Sequence, residues 1–85
     1  MHYTYVLRSN KDKKLYVGNT NNLKVRFETH NKGNVDSTRD RRPLTLIYYE
    51  ACISKKDALH REMYFKTTYG SRYIKSRLKS YFTGW

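Results

Sequence analysis

The chain has 85 residues, 18 of them Lys or Arg and 7 Asp or Glu, for a formal net charge of +11 at pH 7, and 38% are apolar. Such a chain is read as one domain, residues 1–85, burying about 60% of the surface its unfolded form exposes, which allows one modest core; its charge density attracts polyanions and puts nucleic acid first among partners. No apolar run nears the roughly 20 residues that span a bilayer, and no segment joins basic, apolar and cleavage regions as a signal peptide does, so a soluble, cytoplasmic protein with no membrane partner is expected.

From His2 to Leu7, Tyr3, Tyr5 and Leu7 alternate with Thr4 and Val6, and the polar run Ser9-Asn10-Lys11-Asp12-Lys13 turns the chain into Leu15-Tyr16-Val17, the pattern of a β-hairpin. Asn22 is placed to cap a helix with Leu23 and Phe27 on one side, stopped at Asn31-Lys32-Gly33 by a left-handed glycine. A polar, arginine-rich loop covers Asn34 to Pro43. Leu44 to Ile53 is continuous in β-branched and aromatic residues, as expected of a strand covered on both faces. Within it Cys52, the only cysteine, excludes an internal disulfide or a cysteine-rich zinc site and reads as a small core residue. Ser54, with Asp57 three residues on, begins a second helix that is expected to run to Tyr69 and break at Gly70. A basic helix from Ser71 to Leu78 follows, and no repeat or linker marks a second domain.

On the second helix Ala58, Leu59, Phe65 and Tyr69 form an apolar stripe, and Glu62 projects near its middle. A carboxylate aimed at the core side must meet a cation, hydrogen-bond donors, a metal ion or a water-filled cleft, since an unpaired buried charge costs several kcal/mol. On these residues alone an internal salt bridge to an arginine is the first reading. In the first helix Arg26 and His30 lie four apart on one face, at the margin of the Leu23/Phe27 stripe. Tyr5 and Tyr16 reach one sheet face only if the connecting loop has an even number of residues, which Asn10-Lys11 and Asn10 to Lys13 both satisfy.

The ordered set Tyr3-Thr4-Tyr5, Tyr16-Val17-Gly18, Asn22-Leu23-x-x-Arg26-x-x-x-His30-Asn31 and Ala58-Leu59-x-x-Glu62 resembles the GIY-YIG nuclease superfamily. Ser37-Thr38 before Arg41-Arg42-Pro43-Leu44, Tyr48-Tyr49-Glu50-Ala51 and Gly70-Ser71-Arg72-x-Ile74-Lys75-x-Arg77-Leu78 are similar to its small, single-domain bacterial branch, likened to the nuclease subunit of excision repair. The match covers nearly the whole chain. Tyr3 stands where the first motif's name has glycine, Val17 replaces isoleucine, and the late asparagine of some larger relatives has no counterpart in the final helix.

The resemblance implies an α/β fold, a small three-stranded, mainly antiparallel sheet flanked by three helices, and a metal-dependent DNA endonuclease that hydrolyses phosphodiesters in repair or processing. By matching position it implies Tyr5 as general base or part of it, Tyr16 beside it, Arg26 stabilising phosphate charge, His30 assisting, and Glu62 holding one divalent cation, Mg2+ or Mn2+. A phenol with a free pKa of about 10 is too weakly acidic to serve as a base at neutral pH, so the Tyr5 pKa is expected to be lowered by Arg26 and the metal. Arg39, Arg41, Arg42, Lys66, Arg72 and Lys75 are expected to flank the cleft and grip DNA. The competing reading is a nucleic-acid binding module without chemistry, its strand tyrosines stacking on bases and its basic C-terminal helix gripping phosphate. A stacking platform has no use for a carboxylate facing the core. A third reading, a scaffold for another repair protein, accounts least well for the charge.

Overall fold

The computed structural model describes residues 1–84. Three strands, β1 (His2–Ser9), β2 (Leu15–Thr20) and β3 (Leu44–Cys52), form an antiparallel sheet in the order β2-β1-β3. Helix α1 (Leu23–Asn31) and a 3-10 turn (Arg39–Arg41) lie between β2 and β3; α2 (Lys55–Phe65), α3 (Thr68–Arg77) and a short α4 (Lys79–Thr83) follow. The sheet flanked by helices matches the expected class, with α4 as an addition.

The hairpin uses the longer of the two even loops. Ser9 N–H donates to the Lys14 carbonyl, leaving Asn10 to Lys13 as the turn, and Lys13 takes the left-handed conformation at φ 64°. The buried Ser9 hydroxyl accepts the backbone N–H groups of Lys11 and Asp12 and donates to the Arg41 carbonyl, tying the turn to the arginine-rich loop.

Strand order corrects two expectations. The strand buried on both faces is β1, at the centre, while β3 is an edge strand with Tyr49 53% exposed and Cys52 only partly buried. The run from Leu44 to Ile53 is therefore apolar without being enclosed. The single core is also divided by the sheet. Tyr5, Leu7 and Leu44 pack with Leu23 and Phe27 on the α1 side, and Val6 and Val17 pack with Phe65 and Ile74 on the α2/α3 side. Period-two alternation along a central strand sends side chains to both faces, and here both faces carry helices. Thr4, polar yet wholly buried, is satisfied by donating to the Ala58 carbonyl of α2.

The α2/α3 junction differs from the expected one. Helix α2 stops at Phe65, Thr67 caps α3 by accepting the Gly70 N–H at 3.0 Å, and Tyr69 lies in α3 and is 75% exposed rather than on the α2 stripe. Leu59 is likewise 40% exposed. Gly70 is helical; a Cβ there would overlap the Tyr64 carbonyl, so the glycine serves close approach of two helices, not termination. Arg61 ties α2 to β3 by donating to both oxygens of Glu50, at 2.7 and 3.0 Å, its guanidinium lying 4.6 Å from the centre of the Phe65 ring.

Because the atom in the way at Gly70 is backbone, Gly70→Ala must displace α3 from α2. It should lower stability by about 1–3 kcal/mol or more, read as the shift of the urea-unfolding midpoint with unchanged slope.

Candidate active site

The site begins at one cross-strand pair. Tyr5 of β1 stands opposite Gly18 of β2, and its ring lies across the position where any other residue would have a Cβ, which would sit 2.6 Å from Tyr5 Cζ. The hydroxyl is thereby carried towards the open edge of β2. Pairing of Leu7 with Tyr16 sets Tyr16 on the same face, as the even loop requires.

Helix α1 is started by Asn22, whose side chain accepts the Val25 N–H, and is stopped at Lys32 and Gly33, the latter at φ 81°. It delivers Arg26 and His30 to the two phenols. Tyr5 Oη and His30 Nε2 are 2.9 Å apart, Arg26 Nε donates to the same oxygen at 3.4 Å, and His30 Nδ1 lies 2.7 Å from Thr38 Oγ1. The Tyr16 ring meets His30 edge-on with centroids 5.1 Å apart. A neutral imidazole carries one N–H, so one ring nitrogen donates and the other accepts; when the Tyr5 hydroxyl donates to Nε2, Nδ1–H donates to Thr38.

Glu62 approaches from the other face. Asn19, next to Gly18 and therefore of opposite parity, turns towards α2, and its amide donates to one oxygen of Glu62; Lys66, one helical turn on, donates to the other at 2.6 Å. The charge of Glu62 is felt at Tyr5. The five expected site residues thus converge at the edge of β2, four on the α1 side and the carboxylate on the α2 side.

Burial drives the electrostatics. His30, fully enclosed, has its pKa lowered to about 4 by burial and then by the Arg26 charge, so it is neutral at pH 7. Tyr5 departs from expectation: burial raises its pKa more than Arg26 lowers it. A hidden phenol loses more hydration of its anion than one guanidinium at 3.4 Å restores. Tyr5 is a protonated phenol bonded to an unprotonated imidazole.

Glu62 is the carboxylate available to a cation here, and no group of three or more His, Cys, Asp and Glu side chains that could hold a metal occurs among the described residues. One carboxylate beside an amide is a hard-oxygen donor set that fits Mg2+ or Mn2+ retaining most of their waters, and does not fit zinc, which wants several nitrogen or sulfur ligands. The Lys66 ammonium on its second oxygen shows that the carboxylate already attracts a cation.

The six grip candidates divide. Lys66 and Lys75 line a cleft beside α3, Arg39 and Arg42 line a separate depression with Lys11 and Pro43, and Arg72 is exposed on α3. Arg39 is paired with Asp36, and Arg41 is held by Asp12 at 3.0 Å and by the Leu15 carbonyl. Gly18, Asn19 and Thr38 are site residues that sequence reasoning did not assign. The parity of Asn19 relative to Tyr16 would have placed it on the Glu62 side; nothing local distinguishes Thr38 within its polar loop.

Two outcomes follow from this geometry. Gly18→Ala drives a methyl into the Tyr5 ring, so it should separate Tyr5 from His30 and lower stability by about 1–3 kcal/mol. For pH, the folded-state pKa of His30 lies below the unfolded value of about 6.5, so protonation favours the unfolded chain. The stability due to neutral His30 is complete above about 6.5 and is lost as pH falls towards 4. Urea midpoints measured across that window should fall more steeply in the wild type than in His30→Gln.

Comparison with known proteins bears on the family and the fold. Residues 1–76 match the family described as the GIY-YIG catalytic domain. The chain is 43% identical over 67 residues to a UPF0213 protein of Staphylococcus haemolyticus, covering 78% of this chain and 80% of that one. It is 45% identical over 67 residues to one of Clostridium perfringens, covering 78% and 71%. The solution NMR structure of a UPF0213 protein from Bacillus halodurans superposes with a TM-score of 0.56 at 30% identity, over 91% of this chain and 84% of that one. These names state no activity, whereas the catalytic-domain match extends over the two tyrosine strands, α1 and Glu62. By sequence and by fold, the chain belongs to the GIY-YIG nuclease family, in its small UPF0213 branch.

Proposed function

We propose that this chain is a metal-dependent endonuclease that hydrolyses phosphodiester bonds of DNA, acting in the cytoplasm in repair or processing. The observation that carries the reading is the buried chain Thr38–His30–Tyr5, with the Arg26 guanidinium on its open end and the Lys66-paired Glu62 at the same strand edge.

Hydrolysis requires a water to lose a proton, the phosphate's charge to be offset, and the departing oxygen to leave with its electron pair. Tyr5 is suited to the first as a conduit. Its oxygen takes a proton from the attacking water while its own passes to His30 Nε2, and the imidazolium so formed is held by Thr38 and later returns its proton along the same path. A pKa near 4 for resting His30 keeps its lone pair free at neutral pH, and that low basicity makes the transfer transient. Arg26 offsets charge on the phosphate oxygens, and the Tyr16 hydroxyl, beside Arg26, helps hold that guanidinium in place. A divalent cation held by Glu62 would add Lewis-acid neutralisation of the phosphate.

The non-catalytic binding module fits less well. Tyr49 is open, but Tyr5 is 1% exposed, and a stacking platform gives no account of its buried hydrogen bond to His30.

The purified protein should nick supercoiled plasmid with Mg2+ or Mn2+ and stop with chelator. Glu62→Gln should abolish cutting while retaining the fold and DNA binding; equal activity in that variant would remove the metal assignment. Tyr5→Phe keeps the ring and should slow single-turnover cleavage about 10²–10⁴-fold. Tyr16→Phe should also lose activity with little change in melting temperature, whereas Tyr5→Phe leaves the buried His30 Nε2 unpaired and should in addition lower stability by about 1–3 kcal/mol. Cutting by both at the wild-type rate would make the two phenols packing residues.

Grip is separable from chemistry. Arg42→Ala and Arg72→Ala should each weaken binding at all sequences and lower the salt slope on duplex DNA by about 0.9, at an unchanged saturating single-turnover rate. Arg41→Ala should act less on binding, because Asp12 already holds that charge. Unaltered affinity and slope in the first two would place the DNA elsewhere on the surface.

A further inference from the structure

On the α2/α3 side of the sheet lies a cleft of about 610 Å3, joined to the site through Lys66, which lines it and pairs with Glu62. Its charged lining is Arg8, Lys13, Lys14, Lys66 and Lys75, with no carboxylate lining it among the described residues. Lys66 is paired with Glu62, while Arg8, Lys13, Lys14 and Lys75 have no ion-pair partner among the described residues. Four unpaired cations around one concavity repel one another, and a polyanion relieves that repulsion.

The lining between the cations is apolar, with Leu15 and Phe82 partly open to the cleft, and the Arg8 guanidinium lies 5.2 Å from the Phe82 ring centre and 5.7 Å from that of Tyr81. Duplex DNA cannot use such a floor, because its bases are turned inward and its convex surface presents phosphate and sugar. A single strand uses both features: its phosphates meet lysines, while its unpaired bases lie on aromatic rings or on a guanidinium plane. An acidic peptide would match the charge, but its carboxylate side chains have no flat ring to lay on Phe82 or on the Arg8 guanidinium.

We infer that this cleft holds an unpaired stretch of nucleic acid continuous with the strand being cut. The chain's substrate is then DNA with a single-stranded segment adjoining the cleavage point, the strand passing from Tyr5 over the edge of β2, beside Glu62 and Lys66, onto Lys14 and Lys75. This rests on the nuclease reading above.

The test measures binding without cleavage. Wild-type protein in chelator is titrated with a labelled blunt duplex and with the same duplex carrying a single-stranded tail, across a salt series, and compared with a Lys14→Ala/Lys75→Ala variant of unchanged melting temperature. The wild type should bind the tailed duplex several-fold more tightly. The variant should lose most of that advantage, with its salt slope on tailed DNA lower by about 1.4, at roughly 0.7 per single-strand phosphate, and a clearly smaller loss on blunt duplex. The inference is overturned if the tail gives no advantage, or if the variant weakens equally on both DNAs. Displacement of the tail by polyglutamate of equal charge at equal concentration also overturns it, by making the cleft a site for acidic protein. Plasmid cutting is scored separately: a wild type that binds tails as described but never cuts supports the cleft and refutes the nuclease.

Discussion

The passage of the Tyr5 ring across Gly18 is the constraint on which the rest of the site depends. A side chain at position 18 would hold the phenol back from the edge of β2 and away from His30. Because strands have a period of two, the register that opposes Tyr5 to Gly18 also sends Tyr16 to the α1 side and Asn19 to the α2 side. Phenols and carboxylate therefore reach one strand edge from opposite faces of the sheet. A slip of one residue would separate them.

Burial shapes the acid–base character of this site more than charge does. His30 and Tyr5 are both enclosed, and enclosure pushes each towards its uncharged form, the imidazole down to about 4 and the phenol upward. Arg26 reinforces the first and opposes the second. The pair that results is neutral at rest and hydrogen-bonded over 2.9 Å, an arrangement suited to relaying a proton rather than storing a phenolate.

Elsewhere charge dominates through excess. Asp12, Asp36, Glu50 and Glu62 each pair with a Lys or Arg, yet with 18 such residues against 7 acids most cations have no ion-pair partner among the described residues. Their distribution matters more than their number. Arg41 and Arg61 are used inside the protein, one fastening the hairpin turn and the other joining β3 to α2, whereas Lys13, Lys14 and Lys75 are gathered at a cleft.

The local features were legible in the sequence because their causes are local. The hairpin and its even loop, the Asn22 and Ser54 caps, the Gly33 stop and the four-residue spacing of Arg26 and His30 all depend on neighbours within a turn or two. The ordered tyrosine, arginine, histidine and glutamate motifs were enough to indicate the family. Tertiary structure alone decided that β1 rather than β3 is enclosed, since strand order is a matter of pairing between distant segments. It decided that Gly70 sits inside a helix, because the carbonyl it avoids belongs to α2. It brought Thr38 to His30 across an irregular loop with no periodicity to read. It also set the Tyr5 pKa above its free value, because desolvation depends on everything packed around a group, and a sequence names only the residues beside it in the chain.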